Sequence, residues 1–175
     1  MEKENISKPG AGFDHLFITH SFTSFLETAT ELWFGTSDAG ILKFQRSHQL
    51  YTYVNPENTP SLKSNHITHL HITKTGTILA ALYNQGLQIF NARSNNWETI
   101  TVHGSQVDQI YEDRFDLVWV TTENFGISSL QTDSRKATYY RFFNPQEGTV
   151  PDAERHVFFE DSKNNFWIGT HEGAL

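Results

Sequence analysis

Apolar and polar residues alternate in short runs along most of this chain, and this pattern predicts β-strands. The segment "LWFGTSDAGILKF" (32–44) is typical: an alternating aromatic run, a polar turn that ends in glycine, and a second apolar run. The turns "KTGT" (74–77) and "KNN" (163–165) supply the Gly or Asn that tight hairpins need for positive φ. Since no segment shows a convincing helical period, we predict an all-β fold.

The same pattern recurs along the chain. Its further copies are "ILAALYNQGLQIF" (78–90), "VWVTTENFGISSL" (118–130) and the final "FWIGTHEGAL" (166–175). The turn glycines Gly40, Gly86, Gly126 and Gly173 are spaced 46, 40 and 47 residues apart. A repeat of about 45 residues that holds four short antiparallel strands has the size of one β-propeller blade.

We therefore predict a β-propeller fragment of about three and a half four-stranded antiparallel blades. The predicted strands of the first blade are roughly 21–28, 31–37, 40–46 and 49–54. The predicted division is an N-terminal segment with room for a stray strand (1–19), blade one (20–64), blade two (65–104), blade three (105–153) and a truncated blade four (154–175). Gly173 would open a third strand, so the sequence is expected to stop inside a blade.

Residues that recur in each copy are expected to join neighbouring blades. The tryptophans Trp33, Trp119 and Trp167 occupy one equivalent position, which Leu79 fills in the second copy. Glycines at the strand ends would permit close backbone approach (Gly35, Gly169) or form the turn (Gly40, Gly86, Gly126, Gly173).

Two acidic pairs also recur, Glu112–Asp113 and Glu160–Asp161. Paired carboxylates can perform acid–base catalysis. An active site does not repeat once per blade, however, so we interpret these pairs as stabilising the first hairpin turn.

Composition excludes several kinds of site. The chain has 175 residues, a net charge of -7 with both signs interspersed, and no cysteine. There is no basic patch for nucleic acid, and disulfides, thiolate metal sites and cysteine nucleophiles are ruled out. The N-terminal residues lack the apolar stretch of a signal peptide, and no apolar run is long enough to cross a membrane.

The histidines of "HITHLH", His66, His69 and His71, form the densest titratable cluster. On a strand, His69 and His71 would point to the same face. Because no carboxylate or cysteine lies nearby at ligand spacing, we predict neither a metal site nor a cofactor.

With the repeat laid out, the sequence resembles the two-component regulator propeller repeat over about residues 20–175. The residues that carry this resemblance are the joint "NPENTPSLKSNHI" (55–67), the acidic turn and strand "FEDSKNNFWIGT" (159–170), and the glycine strands "GILKF" (40–44) and "GLQIF" (86–90). Copies two and three depart from the pattern, with "ILAAL" (78–82) and "VWVTT" (118–122) in place of "LWIGT".

The resemblance implies the periplasmic sensor region of a bacterial hybrid histidine kinase, many of which detect polysaccharide breakdown products. The sequence holds no kinase or receiver segment, so we expect no enzymatic activity and no catalytic residues in this piece. It would instead bind a glycan or other small molecule.

Topology indicates where such a ligand would bind. In an up-and-down blade, the turn between the second and third strands lies on the same rim as the joints between blades, here 55–65 and 144–153. Binding residues concentrate on such loops. The candidate ligand-binding residues are Asp38, Asn84, Gln85, Glu123, Asn124, Phe125, His171 and Glu172.

Two other functions remain open from the sequence. Propeller enzymes of the streptogramin-lyase type use related blade repeats, although their catalytic His and Glu cannot be matched here. A scaffold for protein partners is the second. Propellers close with roughly 4 to 8 blades, so the fragment is also expected to self-associate or to pack against the remaining blades of its parent.

Overall fold

The computed structural model describes residues 19–122, 126–140, 157–170 and 173–174. Within these residues, fifteen β-strands form four antiparallel sheets, which follow one another along the chain. The first two sheets consist of β1 (Phe22–Glu27), β2 (Glu31–Thr36), β3 (Ile41–Gln45) and β4 (Leu50–Val54), then β5 (Ile67–Ile72), β6 (Ile78–Leu82), β7 (Gly86–Asn91) and β8 (Asn96–Ile100). The last two consist of β9 (Val107–Glu112), β10 (Val118–Thr122), β11 (Gly126–Gln131) and β12 (Lys136–Tyr140), then β13 (Val157–Glu160), β14 (Phe166–Thr170) and β15 (Gly173–Ala174).

Every sheet is a meander in which each strand pairs with the next. We call the four sheets blades one to four. The first three have four strands, and the fourth has three within the described residues, the last of them beginning at Gly173. The predicted fold class, an all-β propeller fragment of about three and a half blades, is confirmed.

The first strands of neighbouring blades lie side by side and are joined by a repeated hydrogen bond. In blade one, the Thr23 hydroxyl donates to the Ile67 carbonyl at 2.6 Å. In blade two, the Thr68 hydroxyl donates to the Val107 carbonyl at 2.9 Å. Both threonines lie where the pairing of the first and second strands shifts register. These shifts are consistent with β-bulges, which re-aim side chains, here towards the next blade.

The hydrophobic core is divided among the blade boundaries. The boundary between blades one and two contains Trp33, Leu62, Ile67 and Trp97. A second cluster, which includes Leu79 and Val107, fills the space between blades two and three. A third joins blade three to Phe158, Phe166 and Ile168 of blade four. Each blade therefore buries its apolar faces against its neighbours, as expected for a repeat architecture.

The joint between blades one and two is anchored in this core. Leu62 is fully buried. The buried Gln88 side chain accepts a hydrogen bond from the Lys63 amide at 3.1 Å and donates one to the Ser61 carbonyl at 2.9 Å. A fully paired buried amide of this kind fixes the path of the joint. The joint consequently holds the adjacent rim in place.

No helix within the described residues is long and apolar enough to span a membrane.

Candidate functional site

One rim of the described blades carries the loops that the sequence singles out. First strands begin at this rim, second strands end there, third strands begin there and fourth strands end there. We call it the joint rim, because the connections between blades lie on it. The opposite rim carries the turns between first and second strands and between third and fourth strands.

Glycines at the start of the third strands tie the joint rim together. The Gly40 amide donates to the Asn65 carbonyl at 2.7 Å, and the Gly86 amide donates to the Ser105 carbonyl at 2.6 Å. Each bond joins a turn within a blade to the connection that leads into the next blade. The turn and the neighbouring joint therefore form one surface.

Three histidine–tyrosine ring pairs lie on the joint rim, one in each of blades one to three. His20 contacts Tyr53 edge-on, with ring centroids 5.8 Å apart. The rings of His66 and Tyr83 stack at 4.7 Å, and those of His103 and Tyr139 stack at 4.1 Å.

Each of these histidines precedes the first strand of its blade, so the arrangement follows the repeat. The pairs leave aromatic surface in contact with solvent, since Tyr83 is 44% exposed and Tyr139 36% exposed. Rings that are partly exposed beside polar groups are suited to stacking against a ligand.

The predicted site residues Asp38, Asn84 and Gln85 all lie exposed on the joint rim. The Asp38 carboxylate contacts His20 Nδ1 at 2.9 Å. Burial, with a smaller contribution from Asp38, raises the pKa of Tyr53, so this phenol stays protonated at neutral pH. Asn84 has a left-handed backbone at the turn, with φ of 55°.

The other predicted site residues lie outside the described residues. They are Glu123, Asn124, Phe125, His171 and Glu172. Their place in a binding site stays a prediction.

The opposite rim shows how the repeated acidic pairs work. The Asp113 carboxylate accepts hydrogen bonds from the amides of Phe115 and Leu117 and from Trp119 Nε1, at 2.8–2.9 Å. Asp161 makes the same set of bonds in blade four. The aspartates therefore stabilise the turn, as the sequence predicts, and also fix the repeated tryptophan.

Hydrogen bonds lower the pKa of Asp161 to about 2. The largest cause is the Asn165 side-chain amide, followed by the Asn165 backbone amide and the Trp167 indole. The carboxylate is thus held in its charged form in solvent, because its partners bind that form.

The glutamates of these pairs act differently from the prediction, because they bind the preceding blade. The Glu112 carboxylate accepts the Lys74 amide of blade two at 2.8 Å. The Glu160 carboxylate accepts the Arg114 amide of blade three at 3.1 Å and its Nε at 2.9 Å. In each pair, therefore, the aspartate stabilises the turn of its own blade, and the glutamate binds the turn of the preceding blade.

Two of the clustered histidines, His69 and His71, lie on β5, close to the hydrogen bond between Glu112 and the Lys74 amide. His71 Nε2 is 3.6 Å from a Glu112 carboxylate oxygen. Burial lowers the pKa of His71, although Glu112 opposes the shift, and burial together with His71 lowers the pKa of His69. Both rings are therefore neutral at neutral pH. Among the residues described, no three metal-ligating side chains come together.

The repeated tryptophans lie at the blade boundaries. Trp33 packs against Phe90 and Trp97 of blade two, and Trp119 stacks on Phe166 of blade four at 4.9 Å. Trp167, in the last described blade, remains 44% exposed.

The strand-end glycines differ in how tightly they are packed. A Cβ placed on Gly35 would lie 2.6 Å from Ser24 Oγ and 3.0 Å from Ile67 of blade two, so any other residue there would require these side chains to shift. At Gly169 the nearest atom would be 3.8 Å away, which is ordinary contact, so the described neighbours do not demand glycine. Gly126 has the positive φ of a turn glycine, at 90°.

Sequence reasoning missed the ring pairs of the joint rim. A signal was present, because histidine stands shortly before the first strand in each of "THSF", "NHIT" and "VHGS". A fourth such residue, His156, lies outside the described residues. The tyrosine partners could not be found this way, since they come from different strands or turns of the blade.

No family model matches the chain. It is 24% identical over 153 residues to the histidine kinase P4 of Formosa agariphila, a match that covers 81% of this chain and 11% of that protein. Among solved structures, it is similar to the extracellular domain of BT4673 from B. thetaiotaomicron, described as a one component system, with a TM-score of 0.71 and 20% identity over 88% of this chain and 20% of that one.

Two further structures support the fold. The extracellular domain of BT3049 from B. thetaiotaomicron, described as a hybrid two component system, gives a TM-score of 0.60 and 20% identity over 87% of this chain and 26% of that one. The WD40 repeats of RRP9 give a TM-score of 0.62 and 13% identity, over 90% of this chain and 53% of that one. The β-propeller fold is thereby confirmed, and so is the resemblance to extracellular domains of bacterial signalling systems. The chain spans only 11% to 26% of the kinase and of the two extracellular domains.

Proposed function

We propose that this chain is a ligand-sensing segment of the extracellular or periplasmic region of a two-component signalling receptor. The similarity to a histidine kinase and to two extracellular domains of signalling systems supports this role. In this role the segment binds and transmits and does not itself transfer phosphate.

The observation that carries the proposal is the row of ring pairs along the joint rim. Three blades each present an imidazole against a phenol there, and the exposed Asp38, Asn84 and Gln85 lie beside them. Aromatic faces provide stacking area, and amide and carboxylate groups provide hydrogen bonds to hydroxyl groups. A carbohydrate is the ligand class that uses both, so a glycan is the proposed ligand.

A binding screen with matched variants tests this proposal. The probe is a pool of short glucose, galactose, mannose and xylose oligosaccharides, and binding is measured by calorimetry. Tyr83→Ala and Tyr139→Ala remove stacking area from the joint rim. Phe115→Ala is the control, because Phe115 is 79% exposed on the opposite rim.

We expect each tyrosine variant to weaken glycan binding by about tenfold, the loss of one stacked ring, and the control to leave it unchanged. Equal affinity in all four proteins would refute the joint rim as the site. Chemical conversion of a bound oligosaccharide would favour an enzyme over a sensor. Capture of a protein partner with no glycan bound would favour a scaffold.

We further propose that the outer face of blade four is covered by a second copy of this chain when the chain is alone in solution. Val157, Phe159 and Trp167 expose 61%, 60% and 44% of their surface on this blade. An uncovered apolar sheet face is an association surface. In a longer parent protein, the next blade would take this place. Light scattering that shows a monomer at high concentration would contradict self-association.

A further inference from the structure

A cleft of about 440 Å³ opens between blades one and two, on the outer side of the sheets. Its walls include Glu31, Lys43 and Thr52 of blade one, Phe90 and Trp97 of blade two, and Asn58 of the joint between them. This volume is within the range of small-molecule sites. Neither Lys43 nor Trp97 belongs to the joint rim.

A lysine ammonium group lies in this cleft against aromatic rings. Lys43 Nζ is 3.6 Å from the centroid of the Trp33 ring and 4.7 Å from that of Phe90. No hydrogen bond or ion pair joins Lys43 Nζ to any other described residue. The nearby carboxylate of Glu31 accepts the Trp33 indole N–H at 2.8 Å. The cation is therefore partly desolvated and held by ring faces.

A second donor in the cleft wall is also unpaired. Trp97 is only 4% exposed, and its Nε1 has no hydrogen-bond partner within the described part of the chain. Its backbone amide, by contrast, donates to Ser61 Oγ at 3.1 Å. A buried N–H without an acceptor costs about 1–3 kcal/mol. Because Nε1 is itself shielded from solvent, a ligand in the cleft would contact other atoms of the Trp97 ring rather than this donor.

Lys43 departs from the blade repeat. It pairs with Trp33, and the equivalent partners are Ile89 opposite Leu79 and Ser129 opposite Trp119. Blades two and three thus form this part of the sheet without a charge. The repeat therefore does not account for the lysine at this position.

We propose that the cleft binds a small organic carboxylate, with the carboxylate group held by Lys43 Nζ. This ammonium group is a cationic donor that has no hydrogen-bond acceptor among the described residues, so it matches an anionic acceptor. The rings of Phe90 and Trp97 provide apolar contact for the rest of the ligand. The inference goes beyond the proposed glycan site at the joint rim, because the residue that holds the ligand and the ligand chemistry differ, although Tyr53 and Asn58 line the cleft as well as the rim.

Three probes of similar size separate the possible sources of this chemistry. Glucuronate carries a carboxylate on a sugar ring, benzoate carries one on an aromatic ring, and glucose carries none. Binding is followed by calorimetry and by tryptophan emission, to which Trp33 and Trp97 beside the cleft contribute. We expect at least one carboxylate to bind about tenfold or more tightly than glucose, as a charge-assisted contact requires.

Two variants locate the site. Lys43→Met keeps the apolar stem and removes the charge, and Lys43→Gln removes the charge and keeps a polar end. Lys136→Met is the matched control, because Lys136 is exposed on the outer strand of blade three. Circular dichroism and the melting temperature establish that each variant is folded, and Lys43→Gln carries the test if Lys43→Met is not.

We expect Lys43→Met to weaken carboxylate binding by about tenfold or more, with Lys136→Met unchanged and oligosaccharide binding at the joint rim retained. Glucose binding as tightly as both carboxylates would overturn the proposal. So would an equal loss in Lys136→Met, unchanged binding in Lys43→Met, or no binding of either carboxylate. Loss of oligosaccharide binding in the Tyr83 and Tyr139 variants bears only on the glycan site.

Discussion

Substituting the turn glycines of blades one and two separates backbone strain from steric crowding. Gly40 and Gly86 occupy equivalent positions, with φ of 82° and 73°. A Cβ on Gly40 would lie 2.3 Å from the Val54 carbonyl oxygen, whereas a Cβ on Gly86 would meet nothing within 4 Å. Both alanine variants adopt a disfavoured backbone, but only Gly40→Ala must displace a neighbour.

The expected magnitudes follow from these two terms. A left-handed alanine costs about 1–2 kcal/mol, so Gly86→Ala should lower the free energy of unfolding by about that amount. In Gly40→Ala the Val54 carbonyl must move, which disturbs the pairing of Val54 with Ile41 and the buried Val54 side chain. We expect a total loss of about 2–4 kcal/mol, because a ladder hydrogen bond and core packing are added to the strain.

Urea unfolding followed by tryptophan fluorescence measures both variants against the parent chain. The reasoning predicts a lower midpoint for Gly40→Ala than for Gly86→Ala at an unchanged slope. Equal midpoints would refute it, because the crowding at Val54 would then contribute nothing.

Three further predictions concern the opposite rim and β5. Glu160→Gln should lower the free energy of unfolding by about 1 kcal/mol, because it removes the charge that Arg114 binds. An unchanged urea midpoint would contradict a stabilising role for the contact between Glu160 and Arg114. In an NMR titration the Asp161 carboxyl should show a pKa of about 2, and this pKa should rise towards 3.8 in Asn165→Ala. Because the pKa is lowered in the folded state, the stability that this carboxylate contributes is present above pH 3.8 and is lost as the pH falls towards 2. The lowered pKa of His69 means that the unfolded chain takes up the proton first, so the melting temperature should fall as the pH drops below about 6.5. That fall should be smaller in His69→Gln, and an identical fall would contradict the assignment.

The strands could be predicted from the sequence because their signals are local. The first-blade strands observed at Phe22–Glu27, Glu31–Thr36, Ile41–Gln45 and Leu50–Val54 lie within a residue or two of their predicted bounds. Alternation sets which residues face a neighbouring blade, and the turn glycines set where each strand begins. Because the pattern recurs in each blade, the same strand and turn signals occur several times along the chain.

Contacts between blades could not be predicted in the same way. The hydrogen bond from the Lys74 amide to Glu112 joins residues 38 positions apart. A glutamate that binds another blade cannot be told from one that stabilises its own turn by sequence alone. How distant strands pack likewise decides the stacking of His103 on Tyr139 and the contact of the Lys43 ammonium group with the Phe90 ring. Such contacts require the three-dimensional arrangement, which local periodicity does not contain.

The central claim, that the joint rim binds the ligand, is tested most directly by an NMR titration of the isotope-labelled chain. The titrant is the pool of short glucose, galactose, mannose and xylose oligosaccharides at about 1 mM, a concentration that reveals weak binding. We predict that the amide signals of Tyr83, Asn84, Gln85 and His103 shift, while those of the turn that holds Phe115 do not. Shifts confined to the Phe115 turn, or no shifts on the joint rim, would contradict the claim.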